Sequence, residues 1–178
     1  MKVKVEQIKA EATPLAYVEE AAGLNARLSG GAPDFRMDQG LSVDLVHYRA
    51  GLDLFFTGTL RAEVTGTCAR CLDEYVFRLE APFTFVLAPR VVAGEGAEPE
   101  LSADDLSLSF FEGEEIDLSP LVHEQAILAL PTRPLCRDDC RGLCARCGAN
   151  LNAGPCGCPA ETPDPRLSVL RTLLRSDH

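Results

Sequence analysis

GTLRAEVTGTCARCLDEYVFRLEAPFTFVLAP, residues 58–89, is the stretch that decides the fold. Before the cysteines, Leu60, Ala62 and Val64 alternate with Arg61, Glu63 and Thr65. After them, Phe77, Leu79, Ala81, Phe83, Phe85 and Leu87 alternate with Val76, Arg78, Glu80, Pro82, Thr84 and Val86. Side chains on a strand point to opposite faces in turn, so each run has one apolar face. Together they predict neighbouring antiparallel strands laid against a core. Pro82 has no N–H to give a ladder, which predicts an edge position or a bulge. Between the runs, Cys68-Ala-Arg-Cys71 falls at the turn, where both sulfurs can face one point.

Working outward, LSVDLVHYRAG puts Leu41, Val43 and Leu45 on one face of a further strand, and LDLFFTG follows after a glycine turn. Val3 and Val5 predict a strand at the start. TPLAYVEEAAGLNARL predicts a short helix with Thr13 as cap and Pro14 in its first turn. GGAPDFRMDQG, residues 30–40, predicts a loop. LSLSFFEGEEIDL offers short strands. A helix then follows with Ser119 as cap, Pro120 at its first position and Pro131 as its stop. Its apolar residues are Leu121, Val122, Ala126, Ile127, Leu128 and Leu130, a broad face expected to pack on the sheet. Asp164-Pro165 repeats the cap-plus-proline start, and Leu167, Leu170, Leu173 and Leu174 predict a last helix. The fold class is therefore α+β: an antiparallel sheet packed by one or two helices, with cysteine-rich zinc-binding loops. Residues 1–178 read as one domain, holding a metal-binding subregion at 136–158 and a flexible acidic loop at 90–105.

Composition bounds the function. At 178 residues and 46% hydrophobic, the chain can build a core. No apolar run reaches the ~18 residues of a membrane helix. The basic start lacks the apolar stretch of a signal peptide, so the expected location is the cytoplasm, with no membrane partner. In that reducing setting, clustered cysteines predict metal ligands or catalytic thiols rather than disulfides. The formal net charge of −10 is uneven: residues 90–124 contain Glu95, Glu98, Glu100, Asp104, Asp105, Glu112, Glu114, Glu115, Asp117 and Glu124 against Arg90 alone. The remainder is nearly neutral.

Six cysteines crowd into CRDDCRGLCARCGANLNAGPCGC, residues 136–158. Six is an awkward number for a four-ligand ion, but Cys68 and Cys71 raise it to eight. The preferred division places Cys68, Cys71, Cys136 and Cys140 in one site and Cys144, Cys147, Cys156 and Cys158 in another, each holding one structural zinc. Gly148 would permit a left-handed turn after Cys147. The loop buries too little to fold alone, and a metal could supply that free energy. A competing division puts four of the last six around a single zinc and leaves Cys68 and Cys71 free; iron–sulfur ligation is a third case, without the usual spacing. Arg70, Arg133, Arg137, Arg141 and Arg146 lie in or between the cysteine motifs and form a candidate phosphate-binding patch. A solvated mixture of charges with Asp138 and Asp139 explains them equally well.

Enzyme readings fare worse. His47 and His123 are isolated in sequence, and a histidine on an apolar helix is more often packed than a ligand. Asp73 and Glu74 read as a solvated turn. No nucleophile constellation or phosphate-binding glycine loop is present, and no small-molecule substrate is expected. A thiol–disulfide oxidoreductase would need an accessible, reversible Cys68/Cys71 pair, and a zinc hydrolase an open coordination position.

TCARCLDEY, EEIDLSPLVHEQAILALPTRPLC and CRGLCARCGANLNAGPCGC together resemble the YceD-like large ribosomal RNA subunit accumulation protein family, over roughly residues 40 to 175. The resemblance implies ribosome biogenesis and names no reaction. Within it, Cys68, Cys71 and the 117–131 region would form the shared core, while the C-terminal cysteine block looks like a form found in part of the family. The expected function is a non-enzymatic factor promoting accumulation of large-subunit ribosomal RNA, by binding that RNA or a ribosomal protein. An adaptor whose acidic face captures a basic ribosomal protein is the alternative.

Overall fold

In the computed structural model, which describes residues 1–90 and 108–159, the two alternating runs form one long hairpin. Strand β5 (Asp53–Thr67) pairs antiparallel with β6 (Glu74–Pro89) from Leu54↔Leu87 to Thr67↔Glu74 without a break in register. β5 pairs on its other side with β4 (Leu41–Ala50), from Ser42↔Arg61 to Ala50↔Asp53. LDLFFTG and GTLRAEV are thus one strand running through Gly58. A Cβ at Gly58 would stand 2.3 Å from the Asp44 carbonyl oxygen, so only glycine lets β4 and β5 approach this closely.

One predicted element changes type. Thr13–Glu19 is a strand, β2, paired with β4 from Thr13↔His47 to Glu19↔Leu41, where a helix start was expected. Its true period is two: Leu15 and Tyr17 pack against the core, while Pro14, Ala16 and Val18 face solvent. The cap-plus-proline signal misled because Pro14 is equally acceptable on an edge strand. The helix begins later, as α1 (Ala21–Gly31), and buries Leu24 and Leu28. The segment expected as a loop at 30–40 contains the last turn of α1 and the short β3 (Phe35–Arg36), which pairs with the end of β5.

The sheet is mixed rather than purely antiparallel. β7 (Leu108–Phe111) runs parallel to β6 over Val86–Pro89, which needs a long return connection. β1 (Lys2–Lys4) and β8 (Glu115–Asp117) pair separately as a two-stranded ribbon. The expected flexible loop at 90–105 lies, beyond Arg90, outside the described residues, as does the expected helix after Asp164.

Helix α2 (Ser119–Leu128) starts with Ser119 as its first residue and Pro120 as its second. The cap is supplied from Asp117, whose carboxylate accepts the Ser119 N–H at 3.0 Å. Burial disfavours the charged form of Asp117, but the Ser119 N–H and hydroxyl outweigh it and hold its pKa below the usual carboxylate value. Val122 and Ala126 are buried, whereas Leu128, placed on the apolar face by sequence, is 70% exposed. The core joins one sheet face, built from Leu41, Val43, Leu45, Leu54, Phe56, Leu60, Leu79 and Leu87 among others, to both helices, with Ile8, Met37 and Ile116 closing it. Each such side chain contributes about 1.5–3 kcal/mol on burial. That rigid sheet carries the β5–β6 turn, and with it Cys68 and Cys71.

Candidate metal centres

Two groups of four sulfurs form: Cys68, Cys71, Cys136 and Cys140 in one, Cys144, Cys147, Cys156 and Cys158 in the other, each with all sulfurs within 4.8 Å of one another. The first group is an inner clamp. Cys68, Cys71 and Cys140 are buried beneath Tyr75, Leu135 and Leu143. Its Sγ–Sγ distances are 3.8 Å for Cys68–Cys140 and 3.7 Å for Cys71–Cys136. Four thiolates at ~2.3 Å from a tetrahedral zinc stand about 3.8 Å apart, so the donor set fits one ion of that size. These separations are far beyond the ~2.05 Å of a disulfide.

The clamp staples the hairpin turn to the segment after α2. Ala69 N–H donates to the Pro134 carbonyl at 2.8 Å, and Leu143 N–H to the Arg70 carbonyl at 3.1 Å. Arg70 Nη1 donates to the carbonyls of Asp138 and Cys140 at 3.1 and 2.8 Å. Gly142, with φ 71°, lies so close to Arg70 that a Cβ would stand 3.0 Å from its carbonyl oxygen.

The second group is an outer knuckle, and its first half repeats the turn of the clamp. Both contain Cys-Ala-Arg-Cys. In the clamp, Leu72 N–H donates to the Cys68 carbonyl and Cys68 N–H to the Asp73 carbonyl, each at 2.9 Å. In the knuckle, Gly148 N–H donates to the Cys144 carbonyl at 2.9 Å and Cys144 N–H to the Ala149 carbonyl at 2.8 Å. The residue after the second cysteine is left-handed in both, at φ 63° for Leu72 and 72° for Gly148. Glycine adopts that conformation freely and leucine does not.

Two asparagines, missed at the level of sequence, join the centres. Asn152 donates to Cys140 Sγ at 3.3 Å and accepts the Arg141 N–H at 2.8 Å. Asn150 donates to the Asp73 carboxylate at 2.7 Å and accepts the Asn152 N–H at 3.0 Å. The signal available was the Asn-x-Asn spacing inside a loop with few core-forming residues.

The thiol environments differ within each centre. At Cys68, burial pushes the thiol up, but N–H groups of Cys136, Cys71 and Arg70 overcome it and bring the pKa down to about 6. At Cys71 the Asp73 N–H pulls downward, and burial with the sulfurs of Cys68, Cys140 and Cys136 outweighs it, to about 12. In the knuckle, N–H groups of Cys147 and Arg146 bring Cys144 down to about 6. The Cys147 sulfur, then burial, push Cys158 up to about 12. Each centre thus supports a first thiolate with backbone donors; in the clamp the Asn152 amide also lowers Cys140, whereas nearby sulfurs and burial raise Cys71 and Cys158. A bound cation favours the thiolate form of its ligands, so loading would release protons.

A family model described as "Large ribosomal RNA subunit accumulation protein YceD" matches residues 56–174, spanning the hairpin, α2 and both centres. The chain belongs to the YceD family. An uncharacterized protein of Mycobacterium tuberculosis (strain ATCC 25618 / H37Rv) is 34% identical over 140 residues, covering 78% of this chain and 65% of the relative. The Arabidopsis thaliana protein named "Large ribosomal RNA subunit accumulation protein YCED homolog 1, chloroplastic" is 27% identical over 160 residues, covering 75% of this chain and 47% of its own length. The Zea mays protein of the same name is 28% identical over 141 residues, with 66% and 47% covered. This YceD-family chain therefore spans about two thirds of the mycobacterial relative and about half of each plant one. No solved structure matches it.

The remaining expected site residues separate. Arg70 is committed to the clamp, and Arg137 pairs with Asp139 at 3.3 Å. Among the described residues, Arg133, Arg141 and Arg146 are exposed and form no ion pair. Asp73 and Glu74 are exposed as expected, but each has a partner, Asn150 and Arg36 respectively. His123 is buried and faces Glu19 at 3.4 Å, and His47 is buried beside Phe56. Among the described residues, no helix is long and apolar enough to cross a membrane.

Proposed function

We propose that this YceD-family chain is a non-enzymatic factor that promotes accumulation of large-subunit ribosomal RNA, acting in a reducing compartment such as the cytoplasm. Both cysteine centres hold a structural zinc, with all eight cysteines as ligands. All-sulfur donation leaves no coordination position for a reacting water, the arrangement of a structural rather than a catalytic zinc. The exposed Arg146 of the outer knuckle, with the exposed Arg133 and Arg141 from the flanking segments, contacts the RNA backbone, while Arg70 holds the 138–140 loop through its carbonyls. One contrast carries this reading: the arginines of the two Cys-Ala-Arg-Cys turns are equivalent in sequence, yet Arg70 is tied to two carbonyls and Arg146 is exposed.

Filter binding of the zinc-loaded chain to large-subunit ribosomal RNA, across a salt series, tests it. Arg141→Glu/Arg146→Glu is expected to weaken binding about tenfold or more and to flatten the salt dependence by about one unit per lost phosphate contact. No binding by the zinc-loaded wild type at the lowest salt would overturn the RNA reading.

A second reading, capture of a basic ribosomal protein, is favoured by Glu6, Glu114 and Glu115, which outnumber Lys4 and Arg49 around a cleft of about 440 Å³ beside β8. It gains if Glu114→Lys/Glu115→Lys abolishes capture of a ribosomal protein while the arginine variant does not. Metal analysis separates both from the oxidoreductase, since zinc retained on Cys68 and Cys71 removes its redox pair.

A further inference from the structure

β6 is paired with β5 along its whole length, but with β7 only over Val86–Pro89. Among the described residues, nothing pairs with the other edge of β6 from Glu74 to Phe85. Exposed edges are usually blunted by charge, proline or brevity. This one is long, and its charges have a pattern.

Pro82 reveals which backbone groups the edge offers. It stands opposite Thr59, and having no N–H it must occupy a non-hydrogen-bonded pair with β5. The unbroken register then turns the peptide groups of Val76, Arg78, Glu80, Pro82 and Thr84 outward. On the solvent face of the sheet, Arg61 donates to Asp44 at 2.7 Å and to Glu80 at 3.1 Å. The signs alternate, negative, positive, negative, from β4 through β5 to β6. A strand added beyond Glu80 is favoured if it brings a cation.

We propose that the open edge of β6 pairs antiparallel with the same edge of a second copy, about a two-fold axis at Leu79. This register sets Arg78 of each copy opposite Glu80 of the other, which supplies the missing cation twice. It also sets Val76 opposite Pro82 and Glu74 opposite Thr84, so the pairing spans the open stretch. The adjacent registers that keep outward groups opposite one another are excluded by charge: an axis at Arg78 sets Arg78 on Arg78, and one at Glu80 sets Glu80 on Glu80. On the core side, Tyr75 and Phe77, half-buried in one copy, would be covered by Phe83 and Ala81 of the second. Pro82 removes one donor on each side, and because the two-fold contact uses the β6 edge of both copies, with β5 already on the other side, the pairing closes at two rather than extending as a ladder.

The test is sedimentation of the zinc-loaded chain with Arg78→Glu, with Glu80→Lys, and with the two variants mixed, their folding verified by circular dichroism. The wild type is expected to dimerise. Each variant alone sets like charges opposite one another and is expected to associate about tenfold more weakly or worse. The equimolar mixture again sets opposite charges together and is expected to restore the dimer. Hydrogen exchange at the Val76, Arg78 and Glu80 amides is expected to slow as concentration rises. A wild type that stays monomeric at the highest soluble concentration, or folded variants that dimerise as the wild type does, would overturn the proposal. So would protection independent of concentration, which would assign the edge to another segment of the same chain.

Discussion

The two Cys-Ala-Arg-Cys turns share a sequence and a hydrogen-bond pattern, yet they live in different surroundings. The clamp grows from a hairpin whose register runs unbroken from Leu54 to Thr67, and its cysteines are largely buried under Tyr75, Leu135 and Leu143. The knuckle has Cys147 exposed and is tied to the clamp through Asn150, Asn152 and the Leu143–Asn150 bridge. The same tetrapeptide thus serves as part of a core in one place and as a surface device in the other. The difference comes from what surrounds the turn. Its own backbone geometry is nearly unchanged.

Removing one ligand from each centre should separate them most sharply. Cys68→Ser is expected to lower the bound metal from two to one per chain and to destabilise the sheet by several kcal/mol, because a buried staple and its packing are lost together. Cys147→Ser should remove one metal as well, with a change in the sheet's unfolding of no more than about 1 kcal/mol. Metal stoichiometry with thermal denaturation checks both, and equal losses of stability would break the contrast.

The residue after each turn gives a smaller effect. Leu72 is 63% exposed at φ 63°, so its side chain buries little while its backbone is strained. Leu72→Gly is expected to stabilise the clamp by about 0.5–1 kcal/mol, and Gly148→Leu to weaken the knuckle by about 1–2 kcal/mol. Competition with a chelator measures each. A clamp destabilised by Leu72→Gly would show that this leucine has a packing partner.

The smallest effect concerns pH and two histidines buried away from the cysteine clusters. Burial lowers the pKa of His47; it also lowers that of His123, against the opposing pull of Glu19. The unfolded chain keeps the ordinary value near 6.5, so below about 6.5 it binds protons that the folded chain refuses. Stability contributed by the neutral histidines is present above that value and lost as pH falls through the window down to the folded pKa. His47→Phe with His123→Gln should flatten that slope in denaturant titrations, while the wild type loses stability from about pH 6.5 downward. A slope that persists in the double variant would trace it to other groups.

Much of the sheet was legible because strand periodicity is a local signal. Leu60, Val64, Leu79 and Phe83 alternate with polar residues whatever the rest of the chain does. Thr13–Glu19 was misread because Thr-Pro opens helices and also sits comfortably on an edge strand, and only pairing with Leu41–His47 distinguishes them. Leu128 was placed inside for its chemistry, yet it stands exposed on α2 while Val122 and Ala126 are buried. The grouping of the eight sulfurs could be narrowed by counting, since eight divides into two fours. Counting could not tell Arg70 from Arg146, because their immediate neighbours are identical.

Sequence by itself therefore determined the long hairpin, the helix after Asp117 and the need of a cysteine-rich loop for something to hold it. These follow from side-chain period, capping chemistry and the loop's lack of apolar residues, all of which act over a few positions. Tertiary structure alone decided which turn is buried, which arginine is committed, that β7 runs parallel, and that β6, among the described residues, is unpaired on its outer edge from Glu74 to Phe85. Those outcomes depend on contacts between residues far apart in the chain, where burial and charge are set by neighbours that no local pattern contains.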